Sequence, residues 1–129
     1  MKETSVELKE KIGHGSSRDV YAHENPLWCV KVQIGDGKEN LREWEIWESF
    51  PELHKWLVPC VSISECGKYL VQIRGEKSKK NPRVKFAKMF KHNRKQNSWV
   101  IIGGKVKCCD YADQKILDYL KNKGGEKWE

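Results

Sequence analysis

Lys31 stands in the middle of an apolar run, LWCVKVQI (27–34), and a lysine is rarely placed inside a strand without a partner for its charge. Ahead of it, IGHGSSRDV (12–20) sets Gly13 and Gly15 one residue apart before Ser16 and Ser17. A glycine turn of this kind lets backbone N–H groups approach phosphate oxygens closely, and a tight β-hairpin uses the same residues. The stretch alone leaves both readings open. Between Lys77 and Lys95 the chain carries Lys77, Lys79, Lys80, Arg83, Lys85, Lys88, Lys91, Arg94 and Lys95 without an acid. That run suits an anionic partner such as nucleic acid, an acidic protein or phosphates, or else forms a solvated, self-repelling face. Cys29, Cys60, Cys66, Cys108 and Cys109 are odd in number and form no C-x-x-C pair. Several are embedded in apolar runs, which predicts packed, reduced thiols. A zinc site drawn from Cys60, Cys66, Cys108 or Cys109 with a histidine matches no known ligand spacing.

The elements that must position these residues follow from periodicity. Residues 6–12 and 19–23 read as strands around GHGSSR, and 27–34 as a third strand. Gly35-Asp36-Gly37 ends it, and KENLREWEIWESF (38–50) predicts a helix with Leu41, Trp44 and Trp47 as its apolar stripe. Pro51 and Pro59 bracket a connection with a short helical turn at 53–57. VSISE and YLVQIR then form a hairpin turning at Cys66-Gly67-Lys68. Pro82 opens a helix to about Lys91, with Val84, Ala87 and Phe90 inward. WVIIGGKVKCCDY makes a third hairpin at Gly103-Gly104, and 113–122 a last helix carrying Ile116, Leu117 and Leu120. The order predicts an α+β fold with a mostly antiparallel sheet.

The chain has 129 residues, 38% hydrophobic and 33% charged, which fits one globular domain with its own core and excludes a disordered or fibrous chain. No apolar run approaches the ~20 residues of a membrane span, and MKETSVELKEK carries no signal-peptide apolar region, so a cytoplasmic location is expected.

Taken in order, these residues resemble the protein-kinase-like superfamily. The G-x-G-x-x-G-x-V loop maps onto Gly13, Gly15 and Val20, with Arg18 where the third glycine stands, and Lys31 in WCVK matches the strand-three lysine. The resemblance implies that the loop residues Gly13, Gly15, Ser16, Ser17 and Val20, together with Lys31, bind nucleotide. It implies that a glutamate on the next helix, Glu43 rather than Glu45, orients Lys31. It also implies that Asn97 and Asp110, thirteen residues apart as in protein kinases, hold Mg²⁺. One amide oxygen and one carboxylate at the ends of a hairpin suit that hard cation. Asp110-Tyr111-Ala112 looks like a D-F-G variant. Small bacteriophage-encoded kinase-like proteins are truncated in a similar way, and the resemblance covers about residues 10–112. It implies a kinase-like N-terminal lobe over 1–75, with an antiparallel sheet and one helix. Residues 76–129 would form a reduced C-terminal part of helix, hairpin and helix.

Beyond Arg18 at the third-glycine position and Ala112 in place of the D-F-G glycine, the match departs from the family in two places. Five residues before Asn97 stands His92, not the catalytic aspartate, and FKHNRKQN contains no acid. A histidine can accept a proton near neutral pH, so His92 is the substitute base if there is one. Only 17 residues follow Ala112, so no peptide-docking lobe of the usual kind is expected. Arg18 either adds a charge over the phosphates or is an ordinary exposed hairpin side chain. The leading expectation is a minimal kinase-like protein binding Mg-ATP between the glycine loop and the Asn97–Asp110 hairpin, with weak phosphotransfer as its enzymatic extreme. The alternative is an inactive, pseudokinase-type module or inhibitor engaging a host protein or nucleic acid through its basic and tryptophan-rich surface. Direct nucleic-acid binding through the basic run is a third reading without a recognised motif. Convergence of Lys31, Glu43 and Asp110 on one place is what separates the first reading from the second.

Overall fold

A computed structural model describes residues 8–78 and 99–123. Their architecture is α+β, as the order of sequence patterns predicts. A five-stranded sheet is built from β1 (Leu8–His14), β2 (Arg18–His23), β3 (Trp28–Gln33), β4 (Cys60–Ile63) and β5 (Tyr69–Ile73). Its order is β1-β2-β3-β5-β4 with every pair antiparallel. Helix α1 (Glu39–Ser49) follows β3, and a 3₁₀ turn at Pro51–Leu53 leads on toward β4. A second sheet has the order β6-β7-β8, from Glu76–Lys77, Trp99–Ile102 and Lys105–Cys108, and α2 (Gln114–Lys123) comes last.

Several boundaries differ from the sequence expectation for identifiable reasons. Strand β1 continues through Gly13 and His14, which pair with Val20 and Asp19, so the loop shrinks to Gly15–Ser17. Asp19 holds that end of the ladder, accepting from His14 Nδ1 at 2.6 Å and facing Lys11 Nζ at 3.1 Å. The helical turn expected at 53–57 lies earlier, at Pro51–Leu53, where proline opens it. The short β6 was not anticipated. The turn at Gly103-Gly104 was, and both glycines have positive φ (57° and 78°), the geometry a two-residue hairpin loop requires. The helix expected from Pro82 lies outside the described residues.

The core gathers Ile46, Leu53, Leu57, Leu70, Trp99, Cys108 and Tyr111 with Ile116, Leu117 and Leu120 of α2, the last three as expected. The stripe assigned to α1 needs correction. Its buried residues are Asn40, Glu43 and Ile46, whereas Leu41 is exposed and Trp44 and Trp47 are only partly covered. The inward face of α1 is thus polar at two of three positions, because the sheet beneath it presents cations.

The β7–β8 hairpin is fixed to the rest by backbone. Cys108 donates to Trp56 O (2.7 Å) and accepts from Val58 N (2.9 Å), flanking a parallel bridge between Leu57 and Cys108. That anchorage delivers residues 109–111 to the underside of α1.

Candidate functional site

Side chains on a strand alternate between faces, so register decides which residues share one. Arg18, Val20 and Ala22 of β2 pair with Gln33, Lys31 and Cys29 of β3, and Lys31 and Cys29 pair with Leu70 and Gln72 of β5. These residues line the face that α1 covers. From the helix come Asn40 and Glu43, and from the chain after β8 come Cys109, Asp110 and Tyr111.

Glu43, fully buried, is the centre of the arrangement. Its Oε1 accepts from Lys31 Nζ and from Gln72 Nε2 (2.8 Å). Its Oε2 accepts from Arg18 Nη2 (3.1 Å) and from the Tyr111 backbone N–H (3.1 Å). Arg18 Nη2 also donates to Asp110 Oδ1 at 2.5 Å, and Nη1 to Asn40 Oδ1 at 3.3 Å. Lys31 Nζ donates in addition to the Cys109 carbonyl. Asn40 fastens the first turn of α1 to the sheet, donating from Nδ2 to Lys31 O (2.9 Å) and Lys68 O (3.0 Å). Tyr111 completes the frame by donating from its hydroxyl to Val58 O at 2.9 Å.

The cluster holds two cations and two carboxylates, and its electrostatics follow from that balance. Burial pushes the Glu43 carboxyl up, but Arg18 and Lys31 outweigh it and hold Glu43 below the usual carboxylate range. Burial and Arg18 pull the Lys31 ammonium down, and Glu43 and Asp110 more than restore it. Burial likewise works against the Arg18 charge, and the same two carboxylates prevail. All three groups are therefore ionised at neutral pH. Buried charges of this sort persist only when each is matched and hydrogen-bonded. Burial drives the Cys109 thiol up to about 11 despite the neighbouring Lys31.

Lys31, Glu43 and Asp110, distant in sequence, are thus brought into one hydrogen-bonded cluster. Gly13 lies within β1 opposite Val20, and Val20 pairs with Lys31. Gly15, Ser16 and Ser17 form the hairpin tip. The Gly15 N–H donates to Arg18 O (2.8 Å), and Ser17 O accepts from Ile34 N and Gln33 Nε2, so the tip is tied to the end of β3. Asn97 and His92 lie outside the described residues, as does nearly all of the basic run.

Arg18 is not an exposed hairpin side chain. It is 8% exposed and bridges the two carboxylates. Alternation puts it on the same face as Val20, two residues on, but only the register across β2 and β3 shows that this is the face α1 covers. Asn40 and Gln72 were missed altogether. The only hint in the sequence was a polar residue within an apolar strand, YLVQI, and one at the start of a helix.

Among the described residues no group of three or more His, Cys, Asp or Glu side chains converges as a metal cage. Of the two carboxylates in the cluster, Asp110 is the accessible one, 56% exposed against a fully buried Glu43. That fits a cation such as Mg²⁺, commonly held by one or two carboxylates with the remaining positions on phosphates and water. A separate cavity of about 310 Å³ lies between the β3–α1 loop and the β4–β5 turn, lined by Gly35, Lys38, Leu41, Cys66 and Lys68 among others; it includes none of the four charges. No helix among the described residues is long and apolar enough to cross a membrane. No protein-family model matches the chain, and no curated protein does.

Proposed function

We propose that the chain is a minimal kinase-like protein that binds a magnesium–ATP complex over Lys31 and Asp110. In this reading β1–β5 with α1 correspond to the N-terminal lobe of that superfamily, and β6–β8 with α2 to a remnant of the second lobe. The observation that carries the proposal is the buried Lys31–Glu43 pair within one cluster with Asp110, the three coming from a central strand, the helix after it and the end of a distant hairpin. A scaffold kept only for its surface has no need of these three together.

Each residue then has a task. Glu43 holds the Lys31 ammonium in place, and Lys31 is the cation for the α- and β-phosphates. Asp110, with Asn97 as the second oxygen donor expected from the sequence, holds Mg²⁺, which neutralises phosphate charge when bound. Val20, paired with Lys31, covers the base, and the Gly13–Ser17 hairpin overlies the phosphates. Transfer to a hydroxyl further needs a proton acceptor, for which the sequence offers only His92. Nucleotide binding is therefore the function proposed, with turnover its extension.

The alternative, an inactive binding module, draws support from one observation. Arg18 already spans Asp110 and Glu43, so the four charges neutralise one another without a ligand. Calorimetry with ATP, with and without Mg²⁺, distinguishes the two. Magnesium-dependent binding that disappears in Lys31→Ala and in Asp110→Ala supports the nucleotide reading. Absence of binding up to millimolar Mg-ATP refutes it and leaves the binding module.

A further inference from the structure

Arg18 is placed to do more than neutralise its neighbours. Its two carboxylate contacts differ in kind. Glu43 is fully buried and keeps Lys31, Gln72 and the Tyr111 N–H if Arg18 leaves. Asp110 is 56% exposed, and among the described residues Arg18 is its one side-chain hydrogen-bond donor. The Arg18–Asp110 link is thus the solvent-facing, exchangeable edge of an otherwise closed cluster.

The charge balance then restricts what can enter. A divalent cation on Asp110 displaces the guanidinium and leaves a buried Arg18 facing added positive charge, which is unfavourable. A polyphosphate that draws Arg18 away strips Asp110 of its partner and sets a bare carboxylate against an anion. A metal–polyphosphate complex satisfies both groups at once, the metal on Asp110 and the phosphate on Arg18.

Resting on the nucleotide reading of the same site, we propose that Arg18 exchanges partners, leaving Asp110 for a nucleotide phosphate as a divalent cation takes the carboxylate. The site thereby selects the metal–nucleotide complex over either component. Arg18 is in this view a phosphate-binding and selectivity residue, and the arginine at the third-glycine position is the device that couples the two halves of the ligand.

The exchange predicts effects of opposite sign in Arg18→Gln. Mn²⁺ alone, followed by the loss of its free electron-paramagnetic-resonance signal, binds the variant about tenfold more tightly than wild type, since no charge-assisted guanidinium bond has to be broken. Mg-ATP, followed by calorimetry, binds it about tenfold more weakly, since one phosphate partner is gone. Arg18→Lys, which keeps the charge, lies between on both counts. A readout without mutation runs alongside: the guanidinium ¹⁵N resonances of Arg18 shift on adding Mg-ATP and stay put with MgCl₂ or ATP alone at the same concentration.

Tighter binding of both Mn²⁺ and Mg-ATP by Arg18→Gln overturns the exchange and makes Arg18 a plug, while the nucleotide reading stands. Unchanged affinities, or resonances unmoved at saturating Mg-ATP, overturn it equally. If neither wild type nor either variant binds Mg-ATP, the nucleotide reading falls and the exchange with it.

Discussion

Replacing Glu43 by glutamine is the sharpest test of the buried cluster. The side chain keeps its shape but loses its charge, and its amide N–H₂ is turned on a site that already holds four donors. Two of those donors are cations, Lys31 and Arg18, at 6% and 8% exposure. With Glu43 neutral, only the half-exposed Asp110 remains to balance them. Removing one partner of a buried pair costs about 3–5 kcal/mol, against roughly 5–15 kcal/mol for a whole domain. For 129 residues the unfolding entropy is about 270 cal/mol/K, so each kcal/mol moves Tm by about 4 °C and Glu43→Gln should lower it by about 12–20 °C. Urea unfolding followed by tryptophan fluorescence supplies the free energy, since Trp99 is fully buried and reports core opening. Lys31→Met should cost less, because Glu43 retains Arg18, Gln72 and the Tyr111 N–H. The double variant should cost less than the two singles added together. A loss under about 1 kcal/mol for Glu43→Gln, the worth of a surface ion pair, would refute the reasoning.

Other consequences are smaller but as definite. Because Glu43 titrates below its unfolded value of about 4.3, its stabilisation is fully present above that pH and is lost as pH falls through the depressed folded value. The stability gap between wild type and Glu43→Gln, measured by urea midpoints at pH 7 and below pH 4, should narrow toward the acid end; a constant gap would contradict the charge argument. Thiol labelling at pH 7.5 should find Cys66 fast, because it is exposed, and Cys60 and Cys109 slow, because burial raises both to about 11. Rapid alkylation of Cys109 in the folded protein would count against that burial. Gly103→Asn should stabilise by about 0.5 kcal/mol, since asparagine tolerates φ 57° and restricts the unfolded chain. Apart from the adjoining residues no atom lies within 4 Å of the added Cβ, and a lowered Tm would show that the turn is not of the expected type.

Much of this site was legible because charge in an apolar context is conspicuous. Lys31 in LWCVKVQI called for a buried acid, and Glu43 supplies it. Gly103-Gly104 announced a hairpin through the backbone geometry that only such residues adopt easily. The apolar stripe expected on α1 was right only in part: Trp44 and Trp47 pack, partly buried, against the core, while Leu41 is exposed and the fully buried positions are Asn40, Glu43 and Ile46. In α1 the inward positions go to Asn40 and Glu43, because the underlying strands present Arg18 and Lys31 and an unpaired cation there costs more than a partly exposed indole. Arg18 and Gln72 were hidden for a related reason. Their roles depend on register across β2, β3 and β5, which strand patterns alone do not fix. His92, Asn97 and all of the basic run beyond Lys77 lie outside the described residues.

The polar underside of α1 also gives the helix the character of a lever. A helix seated on grease sits wherever packing is densest, indifferent to ions nearby. Here the seat at Asn40 and Glu43 is a set of hydrogen bonds to Arg18, Lys31, Gln72 and the Tyr111 N–H. Any occupant that redistributes charge among those groups alters the energy of every position the helix can take. The outward side chains of α1, Leu41 and Glu48 among them, are carried on that seat, so the charges between helix and sheet help to set where this part of the surface stands.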